Sequence, residues 1–270
     1  AMLSEGIDPV FVFDGRPHEL KRETLRGRKE RKQKAASRWE AAVEAGDMSA
    51  AKKLGPQTAE YTPEMVAETK RLFELLGVTW VEAPMEAEGA AAVRCARGEV
   101  GAVASQDWDT LLYGAPVMVR NLTSHGTRRF GRMLQAEKVV LADTLAKNGI
   151  THEQLVDLGI MIGTDFHPGI RGIGPKTGLK LIREHGTLEA VAEARDFEIP
   201  ERLDEIRSLF LEHPTTPDAL PHSTHAVEED LRAFLQEERG FSEGRVQRAL
   251  DRLTGVAKLR SSSQPTLFDF

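Results

Sequence analysis

The chain has 270 residues and a mass of 29.9 kDa, is 40% hydrophobic and 29% charged, and carries a net charge of −6; this globular composition can bury a sizeable core and excludes a peptide hormone or a bare interaction motif. No apolar run approaches the roughly 18 residues of a membrane span, a single cysteine, Cys95, excludes an intramolecular disulfide, and no charged-then-apolar leader opens the sequence. The chain is therefore expected to be soluble and intracellular, and its net acidity argues against coating nucleic acid by bulk attraction.

Residues 7–13 are apolar, β-branched or aromatic and end at Asp14-Gly15, which predicts a buried strand with a carboxylate at its carboxyl end. From Arg16 to about Ala45 strong helix formers predict one long polar helix, broken by Gly46-Asp47. Residues 15–38 set ten Arg or Lys against Glu19, Glu23 and Glu30, a local +7 that leaves −13 for the remainder. Such a basic segment in an acidic body is either a solvated helix face or a grip on an anion held at one place. Pro63-Glu64 opens a helix whose apolar stripe ends at Gly77. Strands at 78–81, 101–105 and 117–120 with a helix at 86–97 between them imply a mostly parallel sheet flanked by helices, an α/β class. From about 134 the pattern is helical, with helices at 155–162, 176–184 and near 201–211, a loop at 214–224, and an amphipathic pair at 227–254. The run Lys258-Leu259-Arg260-Ser261-Ser262-Ser263 reads as a flexible tether.

Ligands of open parallel sheets sit beyond the carboxyl ends of the strands, which singles out Asp14, Glu86 and Glu88, Asp107 and Asp109, and Asp165 at a helix end. Taken singly, each has a plainer role in a turn, at a helix amino terminus or as a cap. Grouped, six carboxylates would repel one another without cations. An oxygen-only acidic site suits Mg²⁺, with Mn²⁺ as a substitute, and two such ions about 4 Å apart serve phosphodiester hydrolysis.

The stretch Gly169-Ile170-Arg171-Gly172-Ile173-Gly174-Pro175-Lys176-Thr177 joins two helices. The plainer reading is an ordinary helical hairpin. The alternative is a phosphate grip, in which Gly172 and Gly174 let backbone amides approach an anion while Lys176 and Thr177 open the next helix.

With these residues in place the chain resembles the structure-specific 5′ nucleases, and within them the archaeal-type flap endonucleases. The resemblance runs through nearly the whole length, on Phe13-Asp14-Gly15-Arg16-Pro17, Ala83-Pro84-Met85-Glu86-Ala87-Glu88-Gly89, Ser105-Gln106-Asp107-Trp108-Asp109, Gly163-Thr164-Asp165, the glycine hairpin and the tail. It implies a PIN-like nuclease core in two parts, 1–133 with a helical gateway and cap at about 16–76, and 134–256 with a helix-two-turn-helix at about 155–185, followed by 257–270 as tether and clamp-binding box. It implies two Mg²⁺ ions on the six acids, a K⁺ ion at the helix-two-turn-helix, Lys21 and Arg28 at the scissile phosphate, and incision of branched double-stranded DNA at the base of a 5′ flap. It further implies a monomer in the cytoplasm or nucleoid of an archaeal-type prokaryote, with no membrane partner. Members of the family carry an early strand and one more acid upstream of Phe-Asp-Gly, so this sequence reads as an amino-terminally truncated form.

In the tail, Gln264-Pro265-Thr266-Leu267-Phe268-Asp269-Phe270 resembles the sliding-clamp-binding box of replication proteins, with Gln264, Leu267, Phe268 and Phe270 as its contacts to a PCNA-type clamp. The plainer reading is a tail folded back on its own core. A reading from a different class makes the chain a catalytically impaired, clamp-associated DNA-junction binder. Retention of six acids argues against it, and Mg²⁺ titration against a double-flap substrate separates the two.

Overall fold

A computed structural model describes residues 2–129, 131–215, 218–221 and 226–261. After a short turn at Leu3–Glu5, strand β1 (Val10–Phe13) enters the molecule, and a 3-10 turn at Glu19–Lys21, capped by His18, leads into α1 (Arg22–Glu44). The long basic helix thus begins at Arg22, six residues later than the expected start at Arg16. α1 buries only Ala35 and Ala42 and forms a hairpin with α2 (Met48–Thr58), whose buried Ala51 lets the two backbones approach; α2 has Pro56 inside it and was not anticipated from the sequence. α3 (Pro63–Leu76) has the expected ends, a Thr62 side-chain cap and Gly77 in the left-handed region.

β2 (Thr79–Glu82), α4 (Ala87–Ala96), β3 (Val103–Ala104), α5 (Asp109–Leu112) and β4 (Val117–Arg120) follow in alternation. β1 pairs with β2 and β3 with β4, both in parallel, as expected. They form a two-stranded and a three-stranded unit rather than one sheet, and in the latter β7 (Glu137–Val140), reached through the hairpin β5 (Arg128–Arg129) and β6 (Arg132–Met133), joins β4 antiparallel. The sequence reading missed β5 to β7, whose charged residues carry no strand alternation.

Helices complete the chain: α6 (Leu141–Asn148), α7 (His152–Ile162), α8 (Pro175–His185), α9 (Leu188–Arg195), α10 (Leu203–Leu211), α11 (Glu228–Ala233), continued by a π turn at Phe234–Glu238, and α12 (Glu243–Ser261). α12 runs through Lys258 to Ser261, where a tether was expected; the stretch before it lacks proline, and Ala257, Lys258, Leu259 and Arg260 are good helix formers. The clamp-box residues Gln264, Leu267, Phe268 and Phe270 lie outside the described residues. Among the described residues no helix is long and apolar enough to cross a membrane.

The main core joins α4 and β3 to the later helices through Ala92, Val103, Leu112, Val156, Ile160, Met161, Ile182, Leu188, Ile206 and Phe210. Arg207 ties three of those helices together: its guanidinium holds Asp157 of α7 at 2.7 and 2.8 Å and Glu189 of α9 at 2.6 and 2.7 Å, while Asp157 Oδ2 accepts the amide of Leu188. This clamp, buried at Asp157, fixes α7, and with α7 both the acid after it and the turn into α8. A second cluster seats Leu231, Val246 and Leu250 against Leu72, Leu75 and Leu76 of α3.

Candidate functional site

Parallel pairing brings the carboxyl ends of β1 and β2 to one edge, with Phe13 opposite Glu82 and the Ala83 amide donating to Phe13 O at 2.9 Å. Two residues on, Gly15 N donates to Met85 O at 2.7 Å, and a Cβ on Gly15 would lie 1.9 Å from Ala83 O, so only glycine fits. This close approach delivers Asp14 to the start of α4, where its Oδ1 accepts the Ala87 amide at 2.9 Å, a donor with no partner inside the helix. Glu86 holds the N-cap position of α4 and Glu88 its first turn. Asp14, Glu86 and Glu88 each offer an oxygen within 4.8 Å of the other two.

The remaining acids approach from two other elements. Asp107 N donates to Ser105 Oγ at 3.0 Å and Asp109 N to Asp107 Oδ1 at 3.1 Å, a local turn that opens α5. Burial, then the charges of Asp107, Asp165 and Glu88, push the Asp109 carboxyl up to about 7. Burial likewise raises Glu88, with Asp14, Asp107 and Glu86 adding to it. The Tyr113 phenol is pushed well above its usual range by burial and by the same acids. Asp14, Glu86 and Glu88 form the compact group, and Asp107, Asp109 and Asp165, from the start of α5 and the turn after α7, lie near enough for their charges to act on one another and on Glu88.

The two predicted cations reach these acids. Lys21 Nζ pairs with Glu86 Oε2 and stands 3.1 Å from Asp165 Oδ2, and Arg28 holds Asp165 Oδ1 at 2.6 Å. Burial opposes the Lys21 charge, but Glu86 and Asp165 outweigh it and its pKa is raised. Thr24, on the same face of α1, donates to Asp165 O at 2.8 Å. The donor set of Asp14, Glu86 and Glu88 is all carboxylate, which fits a hard divalent cation, and the carboxyl groups of Glu88 and Asp109, raised first by burial and then by neighbouring acids, are ones whose charged form such a cation would favour.

The glycine turn lies between α7 and α8. Gly169, at φ 86°, would place a Cβ 2.4 Å from Ile162 O, and Gly178 packs against Leu158, so both are structural. Gly172, at φ 88°, and Gly174 have open space where a side chain would lie. Buried Ile173 anchors the turn between them, while Lys176 and Thr177 are exposed in the first turn of α8, whose amides have no intrahelical acceptors. A groove of about 630 Å³ continues from Lys176 and Thr177 past Lys180, His185 and Arg195. The four predicted residues thus share one exposed corner, away from the acid cluster in the chain but joined to it by α7.

Two neighbours of the acids escaped the sequence reading. His213 is buried with its ring against Gly89, where a Cβ would come within 2.4 Å of it, and burial lowers its pKa. Tyr113 stacks edge-on against the same ring at 4.9 Å. Neither lies in a periodic pattern; the glycine after Glu88 was the one local sign that a bulky group must sit beside α4.

Residues 1–35 match the XPG N-terminal domain and residues 77–165 the XPG I-region. Flap endonuclease 1 of Methanosarcina barkeri is 40% identical over 268 residues, 97% of this chain and 79% of that protein. The structure of flap endonuclease-1 from Methanococcus jannaschii matches with a TM-score of 0.70 at 36% identity, over 96% of this chain and 79% of that one. The catalytic core of Rad2 in complex with DNA substrate matches with a TM-score of 0.71 at 22% identity, over 94% of this chain and 80% of that one, a likeness of fold.

Proposed function

This chain belongs to the flap endonuclease family and is a structure-specific DNA nuclease, and from that premise we propose that it cuts the phosphodiester at the base of 5′ flaps with Asp14, Glu86, Glu88, Asp107, Asp109 and Asp165 holding two Mg²⁺ ions. The observation that supports this reading is the Asp14, Glu86 and Glu88 cluster, with Lys21 bridging Glu86 to Asp165 and Arg28 holding the other oxygen of Asp165. Bound there, divalent cations would supply Lewis-acid stabilisation of the phosphoryl oxygens and acidify water. The chain's own residues do the rest. Lys21 and Arg28 offer oriented positive charge to a phosphodiester entering beside Asp165, and their pairing with Asp165 and Glu86 fixes them before substrate arrives. Gly172, Gly174, Lys176 and Thr177 hold phosphates of the adjoining duplex without reading bases, and K⁺ at that turn belongs to the same reading. In two parts, 1–133 and 134–256, the first supplies Asp14 to Asp109 with the gateway helices and the second supplies Asp165 and the duplex grip.

We place the enzyme in the cytoplasm or nucleoid, where its DNA substrate is, and assign its tail to a sliding clamp on sequence alone. The test of the central reading is a Mg²⁺ titration against a labelled double-flap DNA, with wild type and Asp107→Ala. Mg²⁺-dependent incision at the flap base that disappears in Asp107→Ala while DNA binding persists is the expected result. Metal-dependent binding without incision by the wild type would favour the junction-binding reading instead, and near-normal turnover in Asp107→Ala would remove the metal assignment.

A further inference from the structure

The residue between two of the acids, Trp108, has no part in the site described so far. The backbone around it is fixed, since Asp107 N donates to Ser105 Oγ, Asp109 N to Asp107 Oδ1, and Leu111 N to Trp108 O at 2.9 Å. Asp109 is mostly buried beside Asp107, Asp165 and Glu88, while the indole of the residue before it is 50% exposed. One face of the ring is already covered. The Arg120 guanidinium lies 4.1 Å from the ring centroid, and Arg120 is itself braced: it ends β4 opposite Glu137 of β7, with Nη1 3.6 Å from Glu137 Oε2. An indole held on one side by a cation, with its motion restricted, loses little freedom when a second flat ring covers its other face.

A nucleobase is a flat ring that would enter with its phosphodiester, and the acids on either side of Trp108 are two of those assigned to the metal ions that act on that phosphodiester. We propose that Trp108, braced by Arg120, is a stacking platform for the nucleobase beside the phosphodiester being cut. Stacking tolerates any base, which suits an enzyme that recognises branch structure and not sequence. The proposal rests on the flap-cutting reading above.

The experiment uses the full chain and a labelled 5′-flap DNA, reading label anisotropy and tryptophan emission together in metal-free buffer, then single-turnover cleavage with Mg²⁺. Tryptophan emission in the wild type should fall as anisotropy reports saturation, and that drop should vanish in Trp108→Phe. Trp108→Ala should slow single-turnover cleavage at sub-saturating enzyme by about 5- to 150-fold, the range of one lost base stack. Trp108→Phe and Trp108→Tyr should recover most of that loss with unchanged thermal unfolding, which a merely structural role would not produce. Saturation by anisotropy with equal emission changes in wild type and Trp108→Phe would overturn the platform while leaving the nuclease reading intact, and so would wild-type cleavage by Trp108→Ala. Absence of any DNA binding would overturn both.

Discussion

The Lys21 ammonium lies 3.1 Å from Asp165 Oδ2 and pairs at the same time with Glu86. A cation of the basic helix is therefore already inside the acid cluster, and Arg28, two turns further along α1, holds the other oxygen of Asp165. The rest of the helix is largely exposed, with only Ala35 and Ala42 buried. Its amino-terminal part delivers two counter-charges to one carboxylate.

Lys21→Ala should accordingly reduce single-turnover flap cleavage by about 10²- to 10³-fold, the scale of one lost preorganised donor to a developing oxyanion. DNA affinity should fall only a few-fold. Quench-flow cleavage alongside equilibrium binding measures both, and a loss confined to affinity would make Lys21 a binding residue only.

Lys176→Ala should weaken binding to the duplex portion about equally for all sequences and lower the slope of log K against log salt by about one. An unchanged slope would detach Lys176 from the phosphates. Because α7 and its partners are intact in this variant, flap position should be unaltered.

Arg207→Ala should destabilise the fold by about 3–5 kcal/mol, because it leaves Asp157, 4% exposed, without its cation. Glu189 adds a pH signature. Its bond to Arg207 holds its carboxyl down at about 2, against an ordinary 4.5, so its stabilisation is present above pH 4.5 and is lost as the pH falls toward 2. Glu189 is 43% exposed in its side chain, so this share is the smaller one. Urea unfolding of wild type and variant should show a gap that narrows from pH 5 to pH 2.5, and a constant gap would count against it.

Removal of residues 264–270 should abolish capture by a PCNA-type clamp while leaving clamp-free flap cleavage near the wild-type rate. Equal capture of the intact and shortened chains would end the assignment of Gln264, Leu267, Phe268 and Phe270.

What the sequence determined by itself is whatever short-range chemistry sets. Thr62-Pro63 and Gly77 bound α3, alanine-rich 87–96 is helical, apolar β-branched runs became β1, β2 and β4, and each predicted acid sits at the end of its element. The family motifs then named the acids before any geometry was known. Only the tertiary structure decided which groups meet: Arg28 reaches an aspartate 137 residues away, His213 fills the space left by Gly89, and Arg120 of β4 lies over Trp108 while Glu137 of β7 pairs with it. Such contacts leave no periodic trace, since they depend on how far helices travel and which strand edges remain open, and those are properties of the packed core and not of any local run of residues.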